Sequence, residues 1–302
     1  MTGVRVGVIG AGAVGQTVSV LLAASSWCTH ITVTSRTESA AVGLATDLED
    51  MAAVIGSPVR VSTTTAPADL VGCDALVVCP RAPFTNVAKT DVRMAGLATN
   101  APLIAGLARA LRGYTGVVIV VTNPVDLMTR LVADISGVEK VFGIGSHTDT
   151  ARYRLTLARC LDVPLDAVGG HVVGEHGDLA IAIATTVHGQ VLAAVPPGVG
   201  EEATARPARI NAGIGRTRCG PAGAVLAALT HALGLTDGVL ELCAPHRGHW
   251  IGVPVRFTAG IPVVCLPDLA PPEAAALAAA TSKLATAYGA IAPHPNRKEP
   301  AL

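Results

Sequence analysis

A short glycine-rich turn near the amino terminus constrains the fold more than any other stretch of this sequence. The apolar run Val4–Ile9 reads as a buried strand, and Gln16–Ala24 reads as a helix. Gly10, Gly12 and Gly15 stand between them in a GxGxxG pattern. These glycines allow a tight turn, the close approach of a pyrophosphate and close packing of the helix on the strand. The pattern predicts a dinucleotide site that includes Gly10, Gly12, Ala13, Val14 and Gly15.

Apolar strands alternate with helical segments through the rest of the first half. The predicted strands are His30–Thr34, Arg60–Ser62, Ala75–Cys79 and Val117–Thr122, and the predicted helices include Ala40–Met51 and Met94–Leu111. Such alternation is typical of a parallel sheet that is covered on both faces. A chain of 302 residues is also long for one core, because single cores stop growing near ~250–300 residues. We therefore expect an α/β fold with a doubly wound Rossmann domain over residues 1–145 and an α+β substrate domain over residues 146–302.

Local patterns in the second half support the α+β expectation. Leu179–Thr186 and Gln190–Val195 predict a hairpin around His188 and Gly189. Further expectations are a helical stretch over Glu201–Leu233 broken near Pro221, a closing helix over Pro271–Ala287, loop positions for His246 and His249, and a tail over Ala292–Leu302. The arginines expected on a solvated or inter-subunit face are Arg206, Arg209, Arg216 and Arg218.

The residues at the end of the second predicted strand indicate which cofactor binds. An NAD site usually carries an acidic residue there, which accepts hydrogen bonds from the ribose 2′-hydroxyl. This sequence has Thr34, Ser35 and Arg36 instead. A hydroxyl and a guanidinium can bind a 2′-phosphate, which a carboxylate would repel. We therefore expect NADP(H) in preference to NAD(H), with a merely solvated Arg36 as the alternative.

Composition argues against several classes of partner. Lys+Arg and Asp+Glu both number 22, so the formal net charge is zero and no electrostatic footprint for nucleic acid or a membrane surface appears. The seven cysteines are odd in number and form no CxxC pair, which argues against a disulfide framework and against a metal site. The sequence shows neither a leader nor a purely apolar run of spanning length. We expect a cytoplasmic protein with a small-molecule substrate.

Polar residues that could act on such a substrate occur at three further places. Asn123 follows a predicted strand, where ligands of parallel sheets bind, although it could simply cap a helix. The proline-punctuated segment Pro80–Arg93, here called the lid loop, could close over a ligand or be an ordinary surface loop. Asp149 and Arg152 share one helix face, as a salt bridge or as part of a site. His176 is preceded and followed by glycine-containing turns, which would let a ligand approach its imidazole.

Five motifs occur together along the chain. They are GAGAVG at Gly10–Gly15, TNPVD at Thr122–Asp126, DTARYR at Asp149–Arg154, GEHGD at Gly174–Asp178 and IGVPV at Ile251–Val255. In this order and spacing the sequence resembles the L-lactate/malate dehydrogenase family, with a GEHGD motif closer to the lactate dehydrogenase version. The resemblance implies hydride transfer between a nicotinamide and a 2-oxo or 2-hydroxy acid, in a homodimer or homotetramer.

The resemblance also implies roles for individual residues. His176 matches the catalytic histidine that gives a proton to the substrate carbonyl oxygen, and Asp149 matches the carboxylate that orients it and raises its pKa. Arg152 matches the arginine that grips the substrate carboxylate, and Arg93 matches the lid arginine that polarises the carbonyl. Asn123 matches the asparagine that contacts the substrate and the nicotinamide ribose.

Departures from the family pattern bear on the substrate. Arg81 lies in a PRxP pattern like the specificity arginine of malate dehydrogenases, but twelve residues before Arg93, which is a longer spacing. Gly220 stands where relatives often carry a small hydroxylated residue, which predicts a roomier pocket. We expect a biosynthetic 2-oxo acid reductase, with malate dehydrogenase, L-lactate dehydrogenase and a non-catalytic dinucleotide sensor as alternatives. A sensor would have little reason to keep Asp149, Arg152 and His176 together.

Overall fold

The computed structural model describes residues 3–87 and 90–293 of the chain. Within this part it contains twelve β-strands and eight α-helices. The strands are β1 (Val4–Ile9), β2 (Cys28–Thr34), β3 (Arg60–Thr64), β4 (Ala75–Val78), β5 (Val117–Val120), β6 (Val141–Gly143), β7 (Val168–Gly174), β8 (Ala180–Val187), β9 (Gln190–Val191), β10 (Gly238–His246), β11 (His249–Thr258) and β12 (Ile261–Val264). The helices are α1 (Ala13–Ala23), α2 (Glu38–Ile55), α3 (Leu97–Ala110), α4 (Val125–Ser136), α5 (Gly145–Leu161), α6 (Val199–Ile214), α7 (Cys219–Ala232) and α8 (Pro271–Gly289).

The first six strands form the parallel sheet that the sequence predicts. They lie in the order β3-β2-β1-β4-β5-β6, and each neighbouring pair is parallel. β4 and β5 are fully buried, and β1 is buried over its last four residues, as apolar strands covered on both faces should be. The strand order reverses between β1 and β4, and sheets of this type bind their ligands at that switch point. The Rossmann expectation is confirmed.

Antiparallel strands extend the same sheet beyond β6. The order continues β10-β11-β7-β8-β9, and β12 pairs with β11. The long pairing of β10 with β11 runs from Gly238 opposite Phe257 to His246 opposite His249. The second half of the chain thus combines antiparallel strands with helices α5 to α8. The boundary between residues 145 and 146 lies at the start of α5 and stays a prediction.

Several local predictions were confirmed and one was wrong. β8 and β9 flank His188 and Gly189 as expected, although β9 ends at Val191, and α8 covers the predicted closing helix. The helical stretch is broken near Pro221 as expected, because α6 ends at Ile214 and α7 begins at Cys219. Pro221 itself lies in the first turn of α7, where proline is tolerated. His246 and His249 are not loop residues, because His246 ends β10, His249 begins β11, and the two pair across a tight turn.

In the part of the chain that the structure describes, no helix combines the length and apolar character needed to cross a membrane. Most of the tail expected over residues 292–302 lies outside the described residues.

Candidate active site

The glycine turn between β1 and α1 has the shape that a pyrophosphate requires. Gly10 has a φ of +113°, a conformation that side chains rarely adopt. A Cβ at Gly15 would lie 1.8 Å from the carbonyl oxygen of Gly10, so only glycine lets α1 approach β1 this closely. A Cβ at Gly12 would meet nothing within 4 Å, which leaves open space beside the amino end of α1. These residues, with Ala13 and Val14, fit a dinucleotide whose phosphates lie on the helix amides.

A cavity of about 240 Å³ lies beside the carboxyl ends of β2 and β3. It is lined by Glu38, Ala41, Thr63, Thr64 and Thr65. The end of β2 carries the buried Thr34, the half-buried Ser35 and the exposed Arg36, so it has no carboxylate of its own. The first carboxylate after this strand is Glu38, in the first turn of α2. The structure therefore adds Glu38 to the residues that can contact a ribose at this end of the site.

Three cationic or titratable side chains converge on the carboxylate of Asp149. Nδ1 of His176 lies 2.6 Å from Asp149 Oδ2. Arg152 Nη1 donates to Asp149 Oδ1 at 2.9 Å, and Arg93 Nη2 lies 3.4 Å from the same oxygen. All four side chains are largely buried, with between 10% and 22% of their surface exposed. The structure thus brings together the four residues predicted to be catalytic, although they come from the lid loop, α5 and the segment after β7.

The charges in this cluster fix its protonation. Burial alone would raise the pKa of Asp149, but His176, Arg93 and Arg152 lower it well below its usual range. Asp149 stays ionised even opposite a neutral imidazole, because it still accepts the hydrogen bond from Arg152. Burial lowers the pKa of His176 below its usual 6.5; Asp149 raises it, and the two arginines lower it again. Asp149 therefore raises the pKa of His176 as expected, but burial and the two guanidinium groups outweigh this contribution, so the net change is downward.

Two residues that the sequence did not single out hold His176 in place. A Cβ at Gly145 would lie 2.4 Å from Cγ of His176, so the absence of a side chain there makes room for the imidazole. The buried Asp126 accepts the backbone N–H of His176 on Oδ2 at 2.8 Å. Burial raises the pKa of Asp126 to about 7. The TNPVD motif contains Asp126, so the motif carried a signal for it, whereas Gly145 offered none.

The predicted substrate-binding residues Arg81, Asn123 and Gly220 lie on three separate parts of the chain: the lid loop, the segment after β5 and α7. Asn100 links Asn123 to the residue that follows Arg81, because its side chain accepts the Ala82 N–H at 2.9 Å and donates to the Asn123 carbonyl at 2.8 Å. This contact fastens the base of the lid loop to the end of β5. Arg81 stacks over Phe84, with its Cζ 4.2 Å from the ring centroid.

Gly220 is exposed at the start of α7, and the four predicted arginines lie on α6 and in the turn after it. A Cβ at Gly220 would be 3.8 Å from Thr148 Cγ2, an ordinary contact, so a side chain there would lie against Thr148. Arg206 and Arg216 lie close enough for their charges to act on the pKa values of Arg152 and Arg81, respectively. Arg216 is exposed and Arg206 is half-buried, so the solvated or inter-subunit face stays a prediction, and Arg209 pairs with Glu202 there.

Comparison with known families identifies the amino-terminal part of the chain. Residues 4–144 match the family model described as lactate/malate dehydrogenase, NAD binding domain. The match spans β1 to β6 with the glycine turn and the Asn123 segment. The nicotinamide-dinucleotide site expected from the glycine pattern is thus confirmed at the level of the domain.

Curated relatives include both branches of this family. An L-lactate dehydrogenase of Treponema denticola is 36% identical over 188 residues, which are 59% of this chain and 56% of the relative. A malate dehydrogenase of Sulfurimonas denitrificans is 32% identical over 185 residues, which are 60% of this chain and 57% of the relative. The matched segments therefore cover less than two thirds of these relatives, and they do not favour one substrate over the other.

Solved structures share the fold over nearly the whole chain. A malate dehydrogenase of Cryptosporidium parvum has a TM-score of 0.86 and 24% identity, and the match covers 96% of this chain and 99% of that one. A lactate dehydrogenase of the same organism, solved with lactic acid and nicotinamide adenine dinucleotide, has a TM-score of 0.86 and 23% identity, over 98% of this chain and 100% of that one. These structures show that the chain has the fold of lactate and malate dehydrogenases, and the match over residues 4–144 identifies its amino-terminal part as a lactate/malate dehydrogenase NAD-binding domain.

Proposed function

We propose that this protein is an NADP(H)-dependent reductase of 2-oxo acids, which it converts to 2-hydroxy acids. The observation that carries the proposal is the convergence of His176, Arg152 and Arg93 on one buried carboxylate, Asp149. Reduction of a ketone next to a carboxylate needs one acid, one cation at the carbonyl oxygen and one cation at the carboxylate. The cluster contains these three groups, with His176 as the acid and Arg93 and Arg152 as the two cations.

Each group has a defined task in this proposal. The bound nicotinamide dinucleotide supplies the hydride that reaches the carbonyl carbon. His176 presents Nδ1 to Asp149, so its Nε2 proton is free to pass to the carbonyl oxygen, which becomes the hydroxyl. Arg152 holds the substrate carboxylate through its two parallel N–H groups, and Arg93 stabilises the negative charge that develops on oxygen. His176 is left as neutral imidazole and takes its next proton from solvent.

Binding of the substrate changes the charge balance that holds His176 neutral. A carboxylate on Arg152 offsets the positive charge that opposes the imidazolium. The pKa of His176 therefore rises when the anion binds, so the acid is formed where and when it is needed. Asp149 supports the same change, because its negative charge already favours the protonated imidazole.

We further propose a substrate larger than pyruvate. Gly220 leaves space beside Thr148 that a side chain would take. The Arg81 guanidinium stacks on Phe84 and is therefore engaged away from a second substrate carboxylate. This favours a reductase of bulkier 2-oxo acids over a malate dehydrogenase. Malate dehydrogenase is the second candidate, because Arg81 lies near Arg216 and two arginines could bind a second carboxylate.

NADP(H) preference rests on the end of β2. Ser35 and Arg36 offer a hydroxyl and a guanidinium to a 2′-phosphate, and the cavity beside β3 adds three threonine positions, Thr63, Thr64 and Thr65. Glu38 also lines that cavity and opposes a phosphate there. The proposal therefore requires Arg36 to outweigh Glu38 when the cofactor is bound.

The test follows oxidation of NADPH and of NADH with pyruvate, oxaloacetate, and branched and aromatic 2-oxo acids. We expect turnover of a branched or aromatic member, with a lower KM for NADPH than for NADH. Arg36→Ala should raise the KM for NADPH about tenfold and leave NADH nearly unchanged, because it removes one exposed charge-assisted contact worth about 1.5 kcal/mol. Glu38→Gln is the companion variant. It removes the opposing negative charge and should improve NADPH binding.

Other outcomes contradict individual parts of the proposal. A clear NADH preference that Glu38→Gln weakens would assign the ribose contact to Glu38 and refute NADP(H) specificity. A preference for oxaloacetate that Arg81→Ala abolishes would establish the malate dehydrogenase alternative. Binding of NADPH without turnover of any 2-oxo acid would refute the reductase and favour the dinucleotide sensor.

A further inference from the structure

Lys283, near the end of α8, lies between the lid loop and the segment that carries His176. Its Nζ is 2.5 Å from Asp91 Oδ1, and it lies 2.8 Å and 2.9 Å from the two carboxylate oxygens of Glu175. Glu175 immediately precedes His176, and Asp91 lies two positions before Arg93. One ammonium group therefore connects the acid of the proposed reaction with the part of the lid loop that carries the carbonyl-polarising arginine.

The two carboxylates that bind Lys283 differ in their surroundings. Glu175 exposes only 2% of its side chain and also accepts the Leu179 N–H. A carboxylate this deeply buried needs a partner, so the Lys283–Glu175 pair is a permanent part of the fold. Asp91 exposes 42% of its side chain and can separate from Lys283 without leaving a buried charge unpaired. Lys283 is thus held in place by Glu175 and offers its remaining N–H bonds to the lid loop.

A second contact binds Asp91 on the other side of His176. The backbone N–H of Asp91 donates to Asp178 Oδ2 at 2.9 Å. Asp91 adopts a φ of +52°, and its carbonyl accepts the N–H of Met94 at 2.9 Å. The turn that leads to Arg93 is therefore fixed at its first residue by contacts to α8 and to the turn before β8. With Asp91 bound in this way, Arg93 lies 3.4 Å from Asp149.

We propose that Lys283 and Asp91 are positioning residues that form an ionic catch for residues 90–93 of the lid loop and so set the fraction of the protein in which Arg93 faces the substrate. This inference rests on the proposed function, because the position of Arg93 matters only if Arg93 acts on the substrate. Neither residue contacts the reacting atoms. The catch acts through Arg93. Because Glu175 already keeps Lys283 in position, formation of the Lys283–Asp91 ion pair orders only the lid loop.

The population of the closed lid loop should determine apparent substrate affinity. A ligand that binds only one conformation has an apparent dissociation constant equal to the intrinsic one divided by the fraction of protein in that conformation. Weakening the catch should therefore raise the KM for the 2-oxo acid more than it lowers kcat. The catch pairs one partly exposed carboxylate with an ammonium, so added salt should weaken it in the same way.

The experiment measures backbone amide exchange of residues 90–96 in the ligand-free protein at low ionic strength, with Asp91→Asn as the variant. Asparagine keeps the shape of the side chain and tolerates positive φ, so only the charge of the catch is lost. We expect exchange about threefold to tenfold faster than in the wild type, in keeping with a partly exposed ion pair. About 0.5 M salt should accelerate the wild type similarly and leave Asp91→Asn unchanged.

Asp166→Asn is the matched control, because Asp166 is exposed and loses the same charge away from the lid loop. Asp91→Asn should raise the KM for the 2-oxo acid by less than this threefold to tenfold factor, because a lid loop that is closed most of the time loses only a small part of its closed population. The catch would be overturned if the backbone amides of residues 90–96 exchanged no faster in Asp91→Asn than in Asp166→Asn. Because amide exchange needs no turnover, a protein that shows the exchange effect and reduces no 2-oxo acid would retain the catch and lose the proposed function.

Discussion

Replacing His176 by Asn is expected to lower kcat for 2-oxo acid reduction by about 10³- to 10⁴-fold, in line with the loss of a positioned general acid. The asparagine amide can still donate to Asp149, and the backbone N–H that binds Asp126 is unaffected. The site should therefore keep its shape and lose only the transferable proton. Cofactor affinity, measured by fluorescence titration with NADPH, should change less than twofold to threefold, since no cofactor contact is assigned to the imidazole.

His188→Asn is the matched control for this variant. His188 is exposed in the turn between β8 and β9, and its positive φ of 48° suits asparagine. It should retain wild-type kcat. Equal kcat values for wild type and His176→Asn would remove His176 from the mechanism.

The pH profile gives a second measure of the same residue. Reduction uses the imidazolium, and the pKa of His176 in the free protein lies below its usual 6.5. The kcat/KM for reduction should therefore fall about tenfold for each pH unit above that pKa. The kcat profile should turn at a higher pH, because the bound carboxylate offsets Arg152 and raises the pKa. A kcat/KM that rises with pH would assign the proton to another group.

Replacing Arg152 by Lys is expected to lower kcat/KM by about 10²-fold, which is the typical effect of a misplaced substrate. Lysine keeps the positive charge and can still pair with Asp149. It cannot hold a carboxylate with two parallel N–H groups, because its ammonium is a point charge on a flexible chain. The loss should appear chiefly as a higher KM for 2-oxo acids, measured from initial rates at saturating cofactor.

Arg159→Lys provides the control on the same helix. Arg159 is exposed near the end of α5 and contacts none of the cluster residues described above. It should behave as wild type. If Arg152→Lys also retained kcat/KM within about threefold, bidentate binding of the substrate carboxylate by Arg152 would be ruled out.

Local patterns in the sequence were sufficient to predict the first half of the fold. The glycines of the β1–α1 turn and the apolar strands around them act over a few residues, so their spacing alone indicates the parallel sheet. The resemblance carried by five motifs then indicated His176, Asp149 and Arg152, which lie within them, and Arg93, which lies outside them, and the structure brings these four together. Their proximity follows from the shared family fold, and it could not be worked out from spacing alone.

Features that depend on distant segments were not predictable in this way. Lys283 and Asp91 are separated by 192 positions, and nothing near either residue indicates the other. The same holds for the buried Glu241 of β10, which lies 3.0 Å from Nδ1 of His147 and 3.4 Å from Arg154 on α5. The direction of the His176 pKa also depended on burial, which outweighs the single carboxylate that the sequence indicated.

Hydride transfer is tested by following a deuterium atom from NADPH labelled at C4 of the nicotinamide into the product. The labelled cofactor is incubated with the preferred 2-oxo acid, and the 2-hydroxy acid is examined by mass spectrometry and proton NMR. We expect one deuterium on C2 of a single enantiomer, with Asp149→Asn much slower because His176 loses the carboxylate that orients its proton. A product without deuterium on C2, or a racemic product, would contradict this mechanism.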